Sequence, residues 1–216
     1  MEYKLIRSRR RSLCLQVDLT GNLTVRAPLK LPLRDIEVFL AAKEPWVAQT
    51  RAKLADRAVA RPRLTVADGA HLPLLGEAVT LHLSGEHAHL EGGVLTLPIS
   101  NQEQALEVYL RKLARAHLTG RVDHFAQIMG VAPTGLKISG ARTRWGSCSS
   151  KNSLNFSWRL ILCPPAEVDY VVVHELCHLR QKNHSPAFWA EVGRVLPDYA
   201  LRRKRLQSHQ FVMAFL

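Results

Sequence analysis

Cysteine is scarce and scattered. Cys14, Cys148, Cys163 and Cys177 form no Cys-x-x-Cys pair and none of the dense spacing that staples small secreted domains, so reduced thiols are expected. Long apolar runs are missing too. Stretches such as Leu160 to Cys163 and Tyr170 to Val173 fall far short of the roughly 20 residues that span a bilayer, which argues against a membrane-crossing helix. The first residues, Met-Glu-Tyr-Lys-Leu-Ile-Arg-Ser-Arg-Arg-Arg, lack the apolar centre of a secretory leader, and the expected compartment is the cytoplasm. Acids are short relative to bases: 18 Asp and Glu against 30 Lys and Arg leave a net charge of +12 on 216 residues. Such a balance favours anionic partners, nucleotides and nucleic acid among them, without specifying a fold. Repeats and low-complexity tracts are absent, and nothing in the pattern specifies an oligomeric state. What is present, 47% hydrophobic residues, suffices for one sizeable core or two small ones.

Periodicity organises the chain. From Leu5 to Arg26, apolar and polar residues alternate on both sides of Thr20-Gly21-Asn22, which predicts a β-hairpin. Pro32 to about Arg57 has helical spacing with Ile36, Phe39, Leu40, Trp46 and Val47 near one face, and Pro45 predicts a kink or break. Glycines and prolines then punctuate Ala60 to Pro98, leaving short runs such as Val79 to Leu83 and Val94 to Leu97 as antiparallel strands. A long helix is expected over Gln102 to Met129, capped by Ser100 or Asn101 and stopped by Gly130. Strands follow at Leu136 to Ser139 and Ser153 to Leu162, the second placing Leu154, Phe156, Trp158 and Leu160 on one face. Pro164-Pro165 closes that strand and suits the first turn of the next helix, where Glu167 and Asp169 complement the helix dipole. The expected division is a β-rich region with one helix over 1–99 and a second domain over 100–216.

The most specific feature lies on that last helix. In His174-Glu175-Leu176-Cys177-His178 the two histidines are four residues apart, so both imidazoles share one face and can meet one ion, with Glu175 beside them in reach of a water. Val168, Val171, Val172, Leu176 and Leu179 form the opposing apolar stripe. Next come Asn183-His184-Ser185-Pro186: Asn183 suits a left-handed helix stop, Ser185 an N-cap and Pro186 a first helical residue, which puts His184 on a turn that can fold back to the ion. Glu167, Asp169 and Glu191 are rivals for the third ligand. Three imidazoles and a water give zinc an open tetrahedral site, although cobalt, nickel or manganese is also accepted by such donors. His71, His82, His87, His89, His117, His124 and His209 read as ordinary surface or core residues.

Arg142-Thr143-Arg144-Trp145-Gly146-Ser147-Cys148 reads as a tight turn leading into a strand. Trp145 is a core candidate, and Arg142 and Arg144 are candidates for substrate or transition-state contacts. Cys148 and Cys177 read as small buried thiols. The basic run Arg202 to Arg205 has no interleaved aromatics, so it reads as a solvated helix face more readily than as a nucleic-acid surface.

Three segments, Arg-x-Arg-Trp-Gly-Ser-Cys from Arg142, Tyr-Val-Val-Val-His-Glu-Leu-Cys-His-Leu from Tyr170 and Asn-His-Ser-Pro-Ala-Phe-Trp from Asn183, resemble the YgjP-like metal-dependent hydrolases, relatives of the SprT and Spartan proteases. The resemblance is dense from Lys137 to Pro197 and thinner before it, where a basic hairpin and Pro45-Trp46-Val47 also look like the family. It implies an α+β fold: a zincin-like catalytic region, an N-terminal β-hairpin and helix region and a small antiparallel sheet. His174, His178 and His184 would be ligands and Glu175 the general acid/base. Three functions follow from these readings. The first is a zinc metallopeptidase with peptide or protein substrates, an extended peptide lying along an edge strand at Ser153 to Leu162. The second is a metal-dependent hydrolase of a nucleotide phosphoanhydride, which the basic charge favours. The third is a nucleic-acid-binding protein with a structural metal, which an open fourth position on the ion disfavours.

Overall fold

A computed structural model describes residues 2–18, 21–59 and 64–216, with backbone alone for 55–59. Thr20, Ala60 and Pro62, used in the sequence reading, lie outside the described residues. The chain divides into two compact units, Met1–Pro62 and Arg63–Leu216. This boundary falls ahead of the expected 99/100, because Leu72, Leu81, Leu95 and Leu97 of the middle strands share one core with the helices that follow.

In the first unit, β1 (Lys4–Ser8), β2 (Cys14–Val17) and β3 (Leu23–Pro28) form a sheet in the order β1-β3-β2. The β2/β3 pair is the expected hairpin, while β1 runs parallel to β3. Helix α1 (Leu33–Val59) continues through Pro45 and buries Ile36, Leu40 and Val47 with Leu23, Val25 and Ala27 of the sheet. Trp46 is not part of that face and stays 44% exposed.

The second unit begins with β4 (His71–Leu74), β5 (Glu77–Leu83), β6 (His89–Glu91) and β7 (Val94–Leu97), ordered β4-β5-β7-β6. Helix α2 (Gln102–Met129) has the expected limits. It buries Leu106, Leu110, Leu118 and Val122, and Gly130 closes it at φ 63°, its N–H donating to the carbonyls of Ala126 and Gln127. Strands β8 (Gly135–Ser139), β9 (Gly146–Cys148) and β10 (Ser153–Ser157) form a third sheet, ordered β8-β10-β9. Each sheet contains one parallel pair, so the α+β architecture is built on small mixed sheets and not on purely antiparallel ones.

The strand expected over 153–162 is shorter. After Ser157 the chain turns into a 3₁₀ segment, Trp158–Leu162, whose residues are all buried, a pattern that period-two alternation cannot produce. Arg159 is inside as well: its guanidinium donates to backbone oxygens of Phe215 (2.6 Å), Gly140 (3.1 Å) and Leu216. Three backbone oxygens replace the water that a buried cation loses. Burial still pulls the Arg159 pKa down to about 10, helped by the neighbouring charge of Arg142. The chain finishes with α3 (Pro165–Cys177), α4 (Pro186–Val195), α5 (Tyr199–Ser208) and a 3₁₀ turn, Gln210–Ala214. Among the described residues no helix is long and apolar enough to cross a membrane.

Candidate metal centre

Helix α3 starts with Pro165 at a first-turn position and Glu167 close behind, as the dipole favours. Its run Val171-Val172-Val173 is poor helix material because β-branched side chains lose rotamers there. Burial overrides this: Val168, Val172, Val173 and Leu176 are fully enclosed. A bidentate pair, Arg121 Nε to Asp169 Oδ1 at 2.7 Å and Nη2 to Oδ2 at 3.0 Å, ties α3 to α2. The helix that carries the histidines is thereby fixed against α2.

The helix ends at Cys177, with His178 at its C-cap in right-handed conformation. Asn183 is therefore not the left-handed stop expected. Its Oδ1 accepts from the Ser185 N–H at 3.3 Å, shaping the turn that carries His184. Ser185 caps α4 as expected, its Oγ accepting from Phe188 N–H, and Pro186 begins the helix.

His174, His178 and His184 converge. One ring nitrogen from each lies within 4.8 Å of the others, and the ring centroids are 5.0, 4.9 and 4.8 Å apart. The closest pair is His174 Nε2 and His184 Nε2, at 3.0 Å. Two nitrogens on one tetrahedral zinc at about 2.0–2.1 Å stand roughly 3.3 Å apart, so the donors fit a shared ion. His178 Nδ1 donates to the Gln181 carbonyl at 2.9 Å, which turns the lone pair of Nε2 toward the cluster. Burial, reinforced by the other two histidines, pulls the His174 pKa down to about 3, so the ring is neutral.

Of the rival ligands, Asp169 is taken by Arg121 and Glu191 by Arg180 at 2.8 Å. Glu167 is buried but outside the cluster. Neither Cys148 nor Cys177 joins it.

Five residues that sequence reasoning missed support this centre. Phe188, fully buried, is a floor beneath all three imidazoles, with ring centroids at 4.9, 4.7 and 4.7 Å. Trp189 stacks on His184 at 5.7 Å and on Tyr199 at 5.5 Å, and Arg203 lies over its ring at 5.0 Å. Gly146 is the fifth: a Cβ there would stand 2.7 Å from Glu175 Cγ, so any larger residue would displace the acid. The aromatic pair at 188–189, four and five residues past His184, was the available signal.

Glu175 is 6% exposed. Burial raises its pKa to about 7, and the charge of Arg144 partly opposes that. A cleft of about 310 Å³ opens beside it, lined by Arg144, Trp145, Tyr170, His174, Glu175 and Arg203 among others. Arg142 points elsewhere, its guanidinium donating to a backbone oxygen of Leu216.

Convergent imidazoles with a buried acid at an open cleft make a candidate site for metal-dependent hydrolysis. Residues 11–209 match the family described as YgjP-like, metallopeptidase domain, and the chain belongs to that family. No curated protein matches the chain. A solved structure, the crystal structure of the metallopeptidase zymogen of Pyrococcus abyssi abylysin, is 21% identical over 43% of this chain and 93% of that one, with a TM-score of 0.40.

Proposed function

We propose that this chain is a zinc metallopeptidase in which His174, His178 and His184 hold the ion and Glu175 is the general acid/base. The observation that carries this reading is the convergence of three imidazole nitrogens next to a buried carboxyl at the mouth of a cleft. When bound, zinc polarises the substrate carbonyl and acidifies the attacking water. Glu175 accepts the proton of that water and returns it to the departing amine. Gly146 lets the carboxyl stand where it does, and the apolar packing of α3 keeps the acid from drifting.

Peptide placement follows from the sheet. Strand β10 pairs on both sides, with β8 and β9, so it is central. The edges are β8 and β9; β9 begins at Gly146 next to Glu175, and an extended peptide would lie along it. We place the protein in the cytoplasm, a reading that the four free cysteines support.

Zinc-loaded chain should cleave an unfolded protein, and Glu175→Gln should reduce turnover at least about a hundredfold while keeping the metal. Retained turnover in that variant would remove Glu175 from the mechanism. One observation favours a second reading, hydrolysis of a nucleotide phosphoanhydride: Arg144 and Arg203 line the cleft. Release of pyrophosphate or phosphate from nucleoside triphosphates, without protein cleavage, would decide for it.

A further inference from the structure

One wall of the cleft carries charge that the proton transfers leave unused. Arg144 reaches it from the turn before β9 and Arg203 from α5. Among the described residues Glu175 is the one acid that lines the cleft. Neither arginine makes an ion pair or a side-chain hydrogen bond among the described residues, whereas neighbouring arginines do: Arg142 on a backbone oxygen of Leu216, Arg159 on three backbone oxygens, Arg202 on Asp198 and the Ala166 carbonyl. An arginine on open surface satisfies itself with water, and that alone would mean little.

Arg203 is exposed as well, but it is held. Its guanidinium lies over Trp189, which is stacked in turn on Tyr199 and on His184. A stacked guanidinium keeps its N–H edges free and loses little further freedom when it binds an oxyanion. It lines the same cleft as His174 and Glu175. Gln207, one turn further along α5, and Gln210 add neutral amides to the same wall. A space of about 310 Å³ is at the lower end of ligand-pocket volumes and takes one or two side chains of an extended peptide.

We infer that Arg203 and Arg144 form an oxyanion subsite, and that the peptides this cleft cuts carry an acidic side chain next to the scissile bond. The acid's identity as a peptide side chain rests on the metallopeptidase reading above; the anion preference rests on the cleft alone. Carboxylate and phosphate share the chemistry a guanidinium recognises, and the test separates them.

The test uses full-length zinc-loaded chain and peptides that differ only in Glu, Gln or Lys beside the cut. Wild type should prefer Glu over Gln by about tenfold or more in kcat/KM, the scale of one charge-assisted hydrogen bond in a half-open site. Arg203→Gln should bring that ratio toward one, and Arg203→Lys should restore part of it. Lys204→Gln, on an exposed position of the same helix outside the cleft, should leave it unchanged. A wild-type ratio near one, or a ratio that survives Arg203→Gln, overturns the subsite. If only nucleoside triphosphates are hydrolysed and Arg203→Gln slows that about tenfold, the subsite stands with phosphate as occupant and the peptidase reading falls. If Arg203→Gln leaves that hydrolysis intact, both fall. Binding of the same peptides to Glu175→Gln chain, read by fluorescence anisotropy, needs no turnover. Equal affinity for the Glu and Gln peptides there overturns the subsite too.

Discussion

Adding a single methyl at Gly146 should disable Glu175 without unfolding the protein. A Cβ at this position would lie 2.7 Å from Glu175 Cγ, 2.8 Å from Oε1 and 3.0 Å from Cδ. Carbon atoms rest at about 3.5–4.0 Å, so something must retreat by about 1 Å. The backbone at 146 is the stiffer partner, since β9 pairs there opposite fully buried Phe156. The end of a glutamate side chain is the softer one. Displacement of a reacting group by about 1 Å costs on the order of a hundredfold in rate. Overpacking of this kind costs about 1–3 kcal/mol, a Tm fall of about 2–12 °C for a chain of this size. Gly146→Ala should therefore show kcat on an unfolded protein down about a hundredfold, wild-type zinc content by elemental analysis, and a cooperative thermal transition. Introduced into Glu175→Gln chain, it should cause no further loss of rate, because both changes remove one contribution. Turnover within about threefold of wild type, or losses that multiply in the double variant, would refute the reasoning.

Phe188→Ala should remove the floor under the histidines, lowering stability by about 3–5 kcal/mol and weakening zinc binding, while Phe188→Leu should do much less of both; zinc titration of both variants checks it, and equal affinities would count against a supporting role. Asp169→Asn should cost about 1–2 kcal/mol, since the bidentate pair with Arg121 is only partly exposed, and a double-mutant cycle with Arg121→Met should give a coupling well above zero. His117 brings acid sensitivity. Burial, with help from Arg121 and against Asp169, holds its pKa below the ordinary value, and its Nε2 is buried without a partner. The folded state thus binds this proton less readily than the unfolded chain. Stability from the group is intact above about pH 6.5 and is lost as pH falls from there through the folded value. His117→Gln should lose less Tm than wild type between pH 7 and pH 5; identical losses would exclude His117 as the source.

Local chemistry made α2 readable, because Leu106, Leu110, Leu118 and Val122 repeat at helical spacing and Gly130 marks the stop. The same holds for the convergence of His174, His178 and His184: i,i+4 spacing handles the first two, and the Ser185 cap with Pro186 delivers the third. What escaped was non-local. Leu154, Phe156, Trp158 and Leu160 alternate as a strand would, and only the enclosure of Ser157, Arg159 and Ile161 by the rest of the fold turns 158–162 into a 3₁₀ segment. Parallel pairing of β1 with β3, β5 with β7 and β8 with β10 leaves no mark on the strands themselves. Gly146 meets Glu175 across 29 positions of sequence, and Arg203 reaches the cleft from a helix whose basic run reads as solvated surface. Asn183 departs from the left-handed stop that its residue type suggests because a side-chain bond to Ser185 shapes its loop.

The central claim is that three histidines hold one metal and Glu175 works beside it. The most direct measurement is metal content together with peptide hydrolysis for wild type, His178→Ala and Glu175→Gln, purified and zinc-loaded alike. The account predicts one zinc per chain and cleavage for wild type, loss of both in His178→Ala, and zinc without cleavage in Glu175→Gln. Stoichiometric zinc in His178→Ala, or cleavage at the wild-type rate in Glu175→Gln, would contradict it.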